Sequence, residues 1–554
     1  MADLPKTQHA VQLVGPDRLV FNKSKELLRP GRHQLLCRVE AVGLCFSDLK
    51  LLKQFSSHTR KGRILSGIDL QILKQIPGYV PDDATTVPGH EATVTIETVG
   101  PGVENFKPGH RYIIQADYRW LQTAASNAAF GYNFEGALQE YVLFDERVIT
   151  SPQGRSTLIP ISKQLSASAA ALIEPWACVE HAYTAKERRT LKTNGQMLIV
   201  ADIEPPEDTF RNLFNRYGRP AQITWISQSV ASDDLNVPIE TAAHISQLTD
   251  TAYDDVVYFG SRPDTIEALF PKLAVQGLLN IVLCSGKLSR AVLIPVGRIH
   301  YNAIRIIGTV TSDPAESMEH IPQTGEIRPR DKINIIGAAG PMGMMHVIRN
   351  ICNAAEGISI FAADIAPARL TALTKIAAPL AAKNNVTFKA YNPSADKIEG
   401  TFNYIVLMAP APDLLTASVK YATGGAVINI FAGIPADVTT ELDLNAYLEK
   451  KLYFIATSGS TLDDMKKVLA EVESGRLDTN ICVAAICGLD GAVEGIRAIE
   501  NRTIPGKIIV YPACKNLPLT PLKQLNEKMP KVAACLNNGL WTNQAEQMLL
   551  QNYQ

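Results

Sequence analysis

Up to about Val148, apolar and polar residues alternate in short runs broken by Gly and Pro, as in LLCRVEAVGLC, TVTIETVGPGV, RYIIQAD and ALQEYVLF. Period-two alternation over runs this short predicts β-strands, and their succession predicts a partly open barrel. From about Thr193 the pattern changes to short apolar strands alternating with helical stretches, the mark of βαβ units around a parallel sheet. The predicted fold class is α/β.

The second region repeats itself. VVYFGSRPDTIEALFPKLAVQGLLNIVLCSG from Val256 and IVLMAPAPDLLTASVKYATGGAVINIFAG from Ile405 share one order: strand, Pro-Asp loop, helix, Gly turn, strand. YNAIRIIGTVTSDPAESMEHI from Tyr301 parallels EKKLYFIATSGSTLDDMKKVL from Glu449 in the same way. Self-similarity over this length implies a tandem duplication of a doubly wound parallel-sheet domain. The polar, proline-containing stretch from Pro322 to Lys332 is the expected joint.

Composition narrows the class without naming a function. The 554 residues exceed what one hydrophobic core usually organises, and 46% hydrophobic with 20% charged residues is ordinary for a globular protein. Lys+Arg (54) and Asp+Glu (55) nearly cancel, so no global field favours nucleic acid or an anionic membrane. The amino terminus lacks the basic and apolar pattern of a signal peptide, and no apolar run reaches membrane-spanning length. Nine scattered cysteines without a close pair fit reduced thiols, and the expected location is the cytoplasm.

Two constellations carry candidate chemistry. In DKINIIGAAGPMGMMHVIRNICNAAEGISIFAADI, an apolar strand leads into a turn of Gly337, Gly340, Pro341, Met342 and Gly343, then a helix and a strand ending in Asp364. The glycines allow close helix–strand packing and free backbone N–H groups to meet a pyrophosphate. Asp364, 21 residues after Gly343, is placed to bond ribose hydroxyls, which favours NAD(H) over NADP(H). Ala338 stands where the first glycine of G-x-G-x-x-G would fall. The first copy has Asp202, Glu204, Glu207 and Asp208 at the corresponding place and no glycine, so it reads as degenerate, kept for packing or a subunit interface.

The second constellation is GLCFSD (43–48), PGHE (88–91) and IEPWACVEHAY (173–183). A thiolate, an imidazole and one or two carboxylates make a catalytic zinc site with room for a substrate oxygen. With these motifs and the closing phrase GAVEGIRAIENRTIPGKIIVYP, the sequence resembles the zinc-dependent medium-chain dehydrogenase/reductase superfamily on its sorbitol-dehydrogenase-like branch, from about residue 10 to Pro512. The resemblance implies that Cys45, His90 and either Glu91 or Glu174 ligate one catalytic zinc, the remaining carboxylate serving as an exchangeable ligand or a partner of bound water. It implies Ser47 as a proton-relay hydroxyl, with a helix-capping serine as the alternative. Asp48 is implied to orient a ligand, or else to be a helix-start carboxylate.

The pattern also departs from the family. An insert follows Cys45, Phe46 replaces a small residue, Lys50 stands where relatives often carry a relay histidine, and no cysteine lobe for a structural zinc exists. Insert, missing lobe and carboxyl-terminal tail look most similar to sugar-phosphate reductases of the L-sorbose 1-phosphate type. The resemblance implies a GroES-like catalytic domain over residues 1–193, an NAD-binding Rossmann domain over 331–460, and a return to the catalytic domain with a tail over 461–554; the internal repeat adds a degenerate Rossmann-like domain over 194–321, which is not a usual feature of that family. The implied activity is hydride transfer between NAD(H) and a secondary alcohol or ketone of a sugar, polyol or ketose phosphate. Two other readings stay open: a zinc protein using bound NAD for epimerisation or elimination, and a non-catalytic dinucleotide sensor. A homo-oligomer, dimer or tetramer, is expected. For a phosphorylated substrate the candidate partners are Lys50, Lys53, Arg60, Lys61 and Arg63, with Tyr118, Arg119 and Tyr132 as candidates to line the cleft.

Overall fold

The computed structural model describes residues 4–227 and 235–553. The chain divides into two compact units, Met1–Glu180 with Gly459–Gln554, and His181–Ser458.

In the first unit the organising strand is Gln34–Gly43, buried along most of its length. Its first half pairs antiparallel with Tyr141–Asp145, its last two residues pair with Lys507–Val510, and its other edge takes Glu91–Val99. The sheet continues outward through Arg111–Ile114 and Leu158–Pro160 on one side, and through Val483–Cys487 and Thr520–Pro521 on the other. The closing phrase of the sequence therefore returns to pair directly with the strand that leads into Cys45. One apolar cluster, including Val39, Val42, Val94, Leu138 and Ile508, forms the core.

The second unit contains two six-stranded parallel sheets. The first runs Ile239–Thr241, Gln222–Ser227, Gln196–Ala201, Tyr253–Phe259, Leu273–Val282, Arg305–Thr309. The second runs Thr387–Tyr391, Ser359–Ala363, Lys332–Ile336, Phe402–Leu407, Ala422–Ile430, Tyr453–Ile455. The orders match position for position, and central strands such as Met197–Val200 are buried on both faces, as parallel sheets covered by helices require. No helix among the described residues is long and apolar enough to cross a membrane.

The two sheets differ in one respect from separate tandem domains: a single apolar cluster draws on both, with Leu279, Ile299 and Ile306 of the first beside Ile428, Leu444 and Phe454 of the second. The short strand Val292–Ile294 pairs antiparallel with Thr440–Leu442 across this shared core. Glu187 lies between the copies, accepting from Arg305 at 2.7 and 2.9 Å and from the Tyr453 hydroxyl at 2.8 Å. Tandem patterning shows two units of the same kind; that they pool their apolar faces depends on contacts about 150 residues apart, which no local pattern encodes.

Candidate functional site

The antiparallel register sets Gly43 opposite Glu91, so the turn after one strand and the start of the other meet. A side chain at Gly43 would bring a Cβ to 2.3 Å from Glu91 Oε2, which explains the glycine just before Leu44-Cys45. Gly89, at φ +96°, turns the chain so that His90 and Glu91 face the same point, and a Cβ there would lie 2.9 Å from Leu138. Cys45, His90 and Glu91 thereby offer donor atoms all within 4.8 Å of one another.

Asp48 fixes this arrangement. One carboxylate oxygen accepts the Cys45 N–H at 3.0 Å; the other accepts the Gly89 N–H at 3.3 Å and faces His90 Nδ1 at 3.3 Å. His90 Nδ1, though close to this carboxylate, has no hydrogen-bond partner among the described residues. The same Asp48 caps the helix Phe46–Gln54, whose N-cap is Cys45. Ser47 lies inside the helix, half-buried, so the capping alternative for it falls away.

Of the two carboxylates left open by the sequence, the structure brings Glu91 into the cluster and leaves Glu174 outside it. Glu91 Oε2 is buried without a hydrogen-bond partner among the described residues, as expected of an atom reserved for a metal. Its Oε1 is bound by the buried Lys507 ammonium, which also donates to the Leu44 carbonyl. Sequence reasoning missed Lys507; its signal was the closing GKIIV strand, meaningful only once that strand pairs beside Gly43. The residues present fit a zinc ion: a soft thiolate, an imidazole and an unpartnered carboxylate oxygen are the donors zinc prefers. Glu174, in the first turn of Ile173–Thr184, has its pKa raised to about 7 by burial, against the opposing pull of His90. One helical turn on, the Cys178 thiol donates to Glu174 at 3.5 Å, and burial with that carboxylate keeps it protonated.

The insert contributes a second layer. The His58 ring lies 5.0 Å from the Tyr132 ring, which lies 5.7 Å from His90. Arg60 sits 5.6 Å from the Tyr132 ring centre and pairs with Asp117 at 2.9 Å. His58 Nδ1 accepts the Arg60 N–H, and burial with neighbouring Arg60, Lys50 and His90 pushes its pKa to about 4. The other cation candidates are placed differently. Lys53 pairs with Asp17 and Glu500, Arg63 pairs with Asp82, and buried Lys61 is tied to the Val80 and Ala84 carbonyls. Lys50 is exposed. Arg119 donates to the Ser460 carbonyl, and Tyr118 is a core residue packed on Trp120 and Phe134.

In the second sheet copy, Gly337 has φ +85°, and a Cβ on Gly343 would lie 2.3 Å from the Gly337 carbonyl, so both glycines are required. Around Gly340, by contrast, nothing approaches an added Cβ closer than 3.7 Å, leaving open backbone at the N-cap of Pro341–Asn353. Pro341 is exposed and Met342 half-buried in that first turn. Asp364 ends the neighbouring strand, accepts the Ala339 and Ala366 N–H groups and pairs with Arg369 at 2.8 Å. A tight turn, an open helix start and a strand-end carboxylate fit a dinucleotide. In the first copy the corresponding turn holds Asp202, which accepts the Tyr258 hydroxyl at 2.7 Å, and the helix Thr209–Tyr217 starts from Asp208 in the left-handed region.

Residues 31–153 match the family model for the alcohol dehydrogenase GroES-like domain. That stretch of the chain is therefore a GroES-like domain. Among curated relatives, this chain is 26% identical over 237 residues to L-sorbose 1-phosphate reductase of Klebsiella pneumoniae, covering 40% of the chain and 56% of the relative. It is 26% identical over 249 residues to YggP of Escherichia coli K12, covering 41% and 58%. The matched part thus spans less than two thirds of either relative. Among solved structures, 2R,3R-butanediol dehydrogenase from Bacillus subtilis aligns with TM-score 0.52 at 15% identity, over 91% of this chain and all of that one. A protein described as a zinc-binding dehydrogenase from Sinorhizobium meliloti 1021, bound to NADP, aligns with TM-score 0.50 at 14% identity, over 92% of this chain and all of that one. These likenesses establish the fold: a GroES-like domain joined to Rossmann-like parallel sheets.

Proposed function

We propose that the protein is a zinc-dependent oxidoreductase that transfers a hydride between NAD(H) and a secondary alcohol or ketone of a sugar, polyol or ketose phosphate. The observation that carries this reading is the cluster of Cys45, His90 and Glu91 inside a GroES-like domain, with one buried carboxylate oxygen left for a metal. When bound, zinc supplies Lewis acidity at a substrate oxygen and the nicotinamide supplies or accepts the hydride.

This chain's residues set the stage for that chemistry. Asp48 orients His90 and the Cys45 backbone, and Lys507 balances the Glu91 charge in a buried setting. Ser47 is the hydroxyl proposed to pass the alcohol proton outward. Glu174, with a pKa near 7, is suited to hold or release a proton next to the metal ligands. His58 is neutral at pH 7, and with Nδ1 accepting from Arg60 it presents Nε2–H as a donor. Arg60 and Tyr132 supply further donors suited to an oxygen-rich substrate. The strand-end Asp364 supports NAD(H) as the preferred cofactor.

The test is a panel of polyols, ketoses and their phosphates assayed with NAD(H) and NADP(H), together with the zinc content of wild type and Cys45→Ser. Net NAD(H) turnover that is lost with zinc in Cys45→Ser is the expected result. Retained NAD with no net reduction would replace this reading by epimerisation or elimination, and absence of both zinc and dinucleotide affinity would end it.

A further inference from the structure

The two sheet copies meet as two identical subunits would. Equivalent positions beyond the fifth strand of each sheet lie 148 residues apart, as 294 and 442, 297 and 445, or 305 and 453. The short strand Val292–Ile294 pairs with its own counterpart, Val292 to Leu442, Leu293 to Glu441 and Ile294 to Thr440. An antiparallel strand paired with its own equivalent has a local two-fold axis at its middle pair, here Leu293 and Glu441. The contacts on either side are reciprocal. Asn445 accepts the Leu288 N–H and donates to the Leu288 carbonyl, both at 3.0 Å. Its equivalent, Gly297, lies against the matching segment of the second copy, where a Cβ would come within 1.8 Å of the Pro435 carbonyl. Such mutual contact of the same patch is the pattern of a two-fold subunit interface.

The reciprocity has unequal consequences, because only the second copy has an open glycine turn. Helix Val296–Tyr301 of the first copy abuts the segment that follows strand Ala422–Ile430 of the second. Besides Gly297 at Pro435, the His300 ring donates from Nδ1 to the Ile430 carbonyl at 3.1 Å, and the Gly297 N–H points to the Val438 carbonyl at 3.4 Å. Residues 431–439 lie at the carboxyl edge of the sheet, the edge at which open parallel sheets take their ligands. The same edge carries the Gly337 turn, packed on Met408.

We propose that the first sheet copy is a built-in partner subunit, and that Gly297 and His300 are positioning residues that hold segment 431–439 in shape for the dinucleotide bound by the second copy. The degenerate copy thus serves the cofactor site without binding a cofactor. This rests on the reading that the second copy holds the dinucleotide.

The test uses the full chain with Gly297→Ala, His300→Leu and His300→Gln, measuring NADH affinity by fluorescence titration, zinc content and thermal unfolding. Gly297→Ala and His300→Leu are expected to weaken NADH binding about tenfold, the order expected for one lost buried contact, with zinc content unchanged. His300→Gln, which keeps a side-chain N–H donor, is expected to recover most of that loss. If Gly297→Ala does not fold, the two His300 variants decide alone. NADH affinity unchanged in the folded variants, or lost equally in His300→Leu and His300→Gln, would overturn the proposal. A wild type that binds zinc and no NADH would instead overturn the dinucleotide reading on which it rests.

Discussion

The two sheet copies have the same strand order and contribute to one core, yet they differ at the carboxyl ends of their strands. In the second copy the turn after the first strand is built of Gly337, Gly340 and Gly343, and its helix start is open. In the first copy the same place holds Asp202, bonded to Tyr258, and an acidic run through Asp208 with no glycine. The apolar strands persist in both copies because the shared core needs them; the glycines persist only in the copy proposed to bind the dinucleotide. On the proposed reading, duplication separated two jobs that a single sheet normally does together, burying an apolar face and binding a nucleotide.

The largest effect should come from removing that difference in the active direction. Gly343→Val places atoms against the Gly337 carbonyl, 2.3 Å from an ideal Cβ, and is expected to abolish NADH binding measured by titration. Glu204→Ala in the first copy should leave the same affinity unchanged; a comparable loss there would show that the first copy also binds the cofactor. A smaller effect tests the shared core. Glu187 is held by Arg305 and Tyr453, equivalent positions in the two copies, and the group is largely buried. Glu187→Gln leaves the Arg305 charge without its counter-ion and is expected to destabilise the chain by about 3 kcal/mol, seen as a lowered midpoint in denaturant unfolding. An unchanged midpoint would mean that the ion pair contributes nothing to joining the copies.

Much of this was legible in the sequence because it is local. The period-two runs, the alternating strands and helices and the Gly337–Gly343 turn are each short-range patterns, and the repeat shows because each copy has the same local pattern around its Pro-Asp helix. The motifs around Cys45, His90 and Glu174 were visible as well, but their geometry was not. That Glu91, and not Glu174, joins Cys45 and His90 in the donor cluster depended on the register that sets Gly43 opposite Glu91. Lys507 lies 416 residues from the Glu91 it binds, a separation at which no spacing rule operates. The basic residues of the insert and of the helix before it looked alike in sequence; only their partners showed that Lys53, Lys61 and Arg63 are structural while Arg60 stands beside Tyr132 and Asp117. The internal two-fold was hidden for the same reason, since a three-residue strand pairing with its counterpart 148 residues on leaves no local trace.

The central claim, that one of two equivalent sheets holds the cofactor, is tested most directly by calorimetric titration of the purified chain with NADH. The account requires one NADH bound per chain. Two per chain would contradict it.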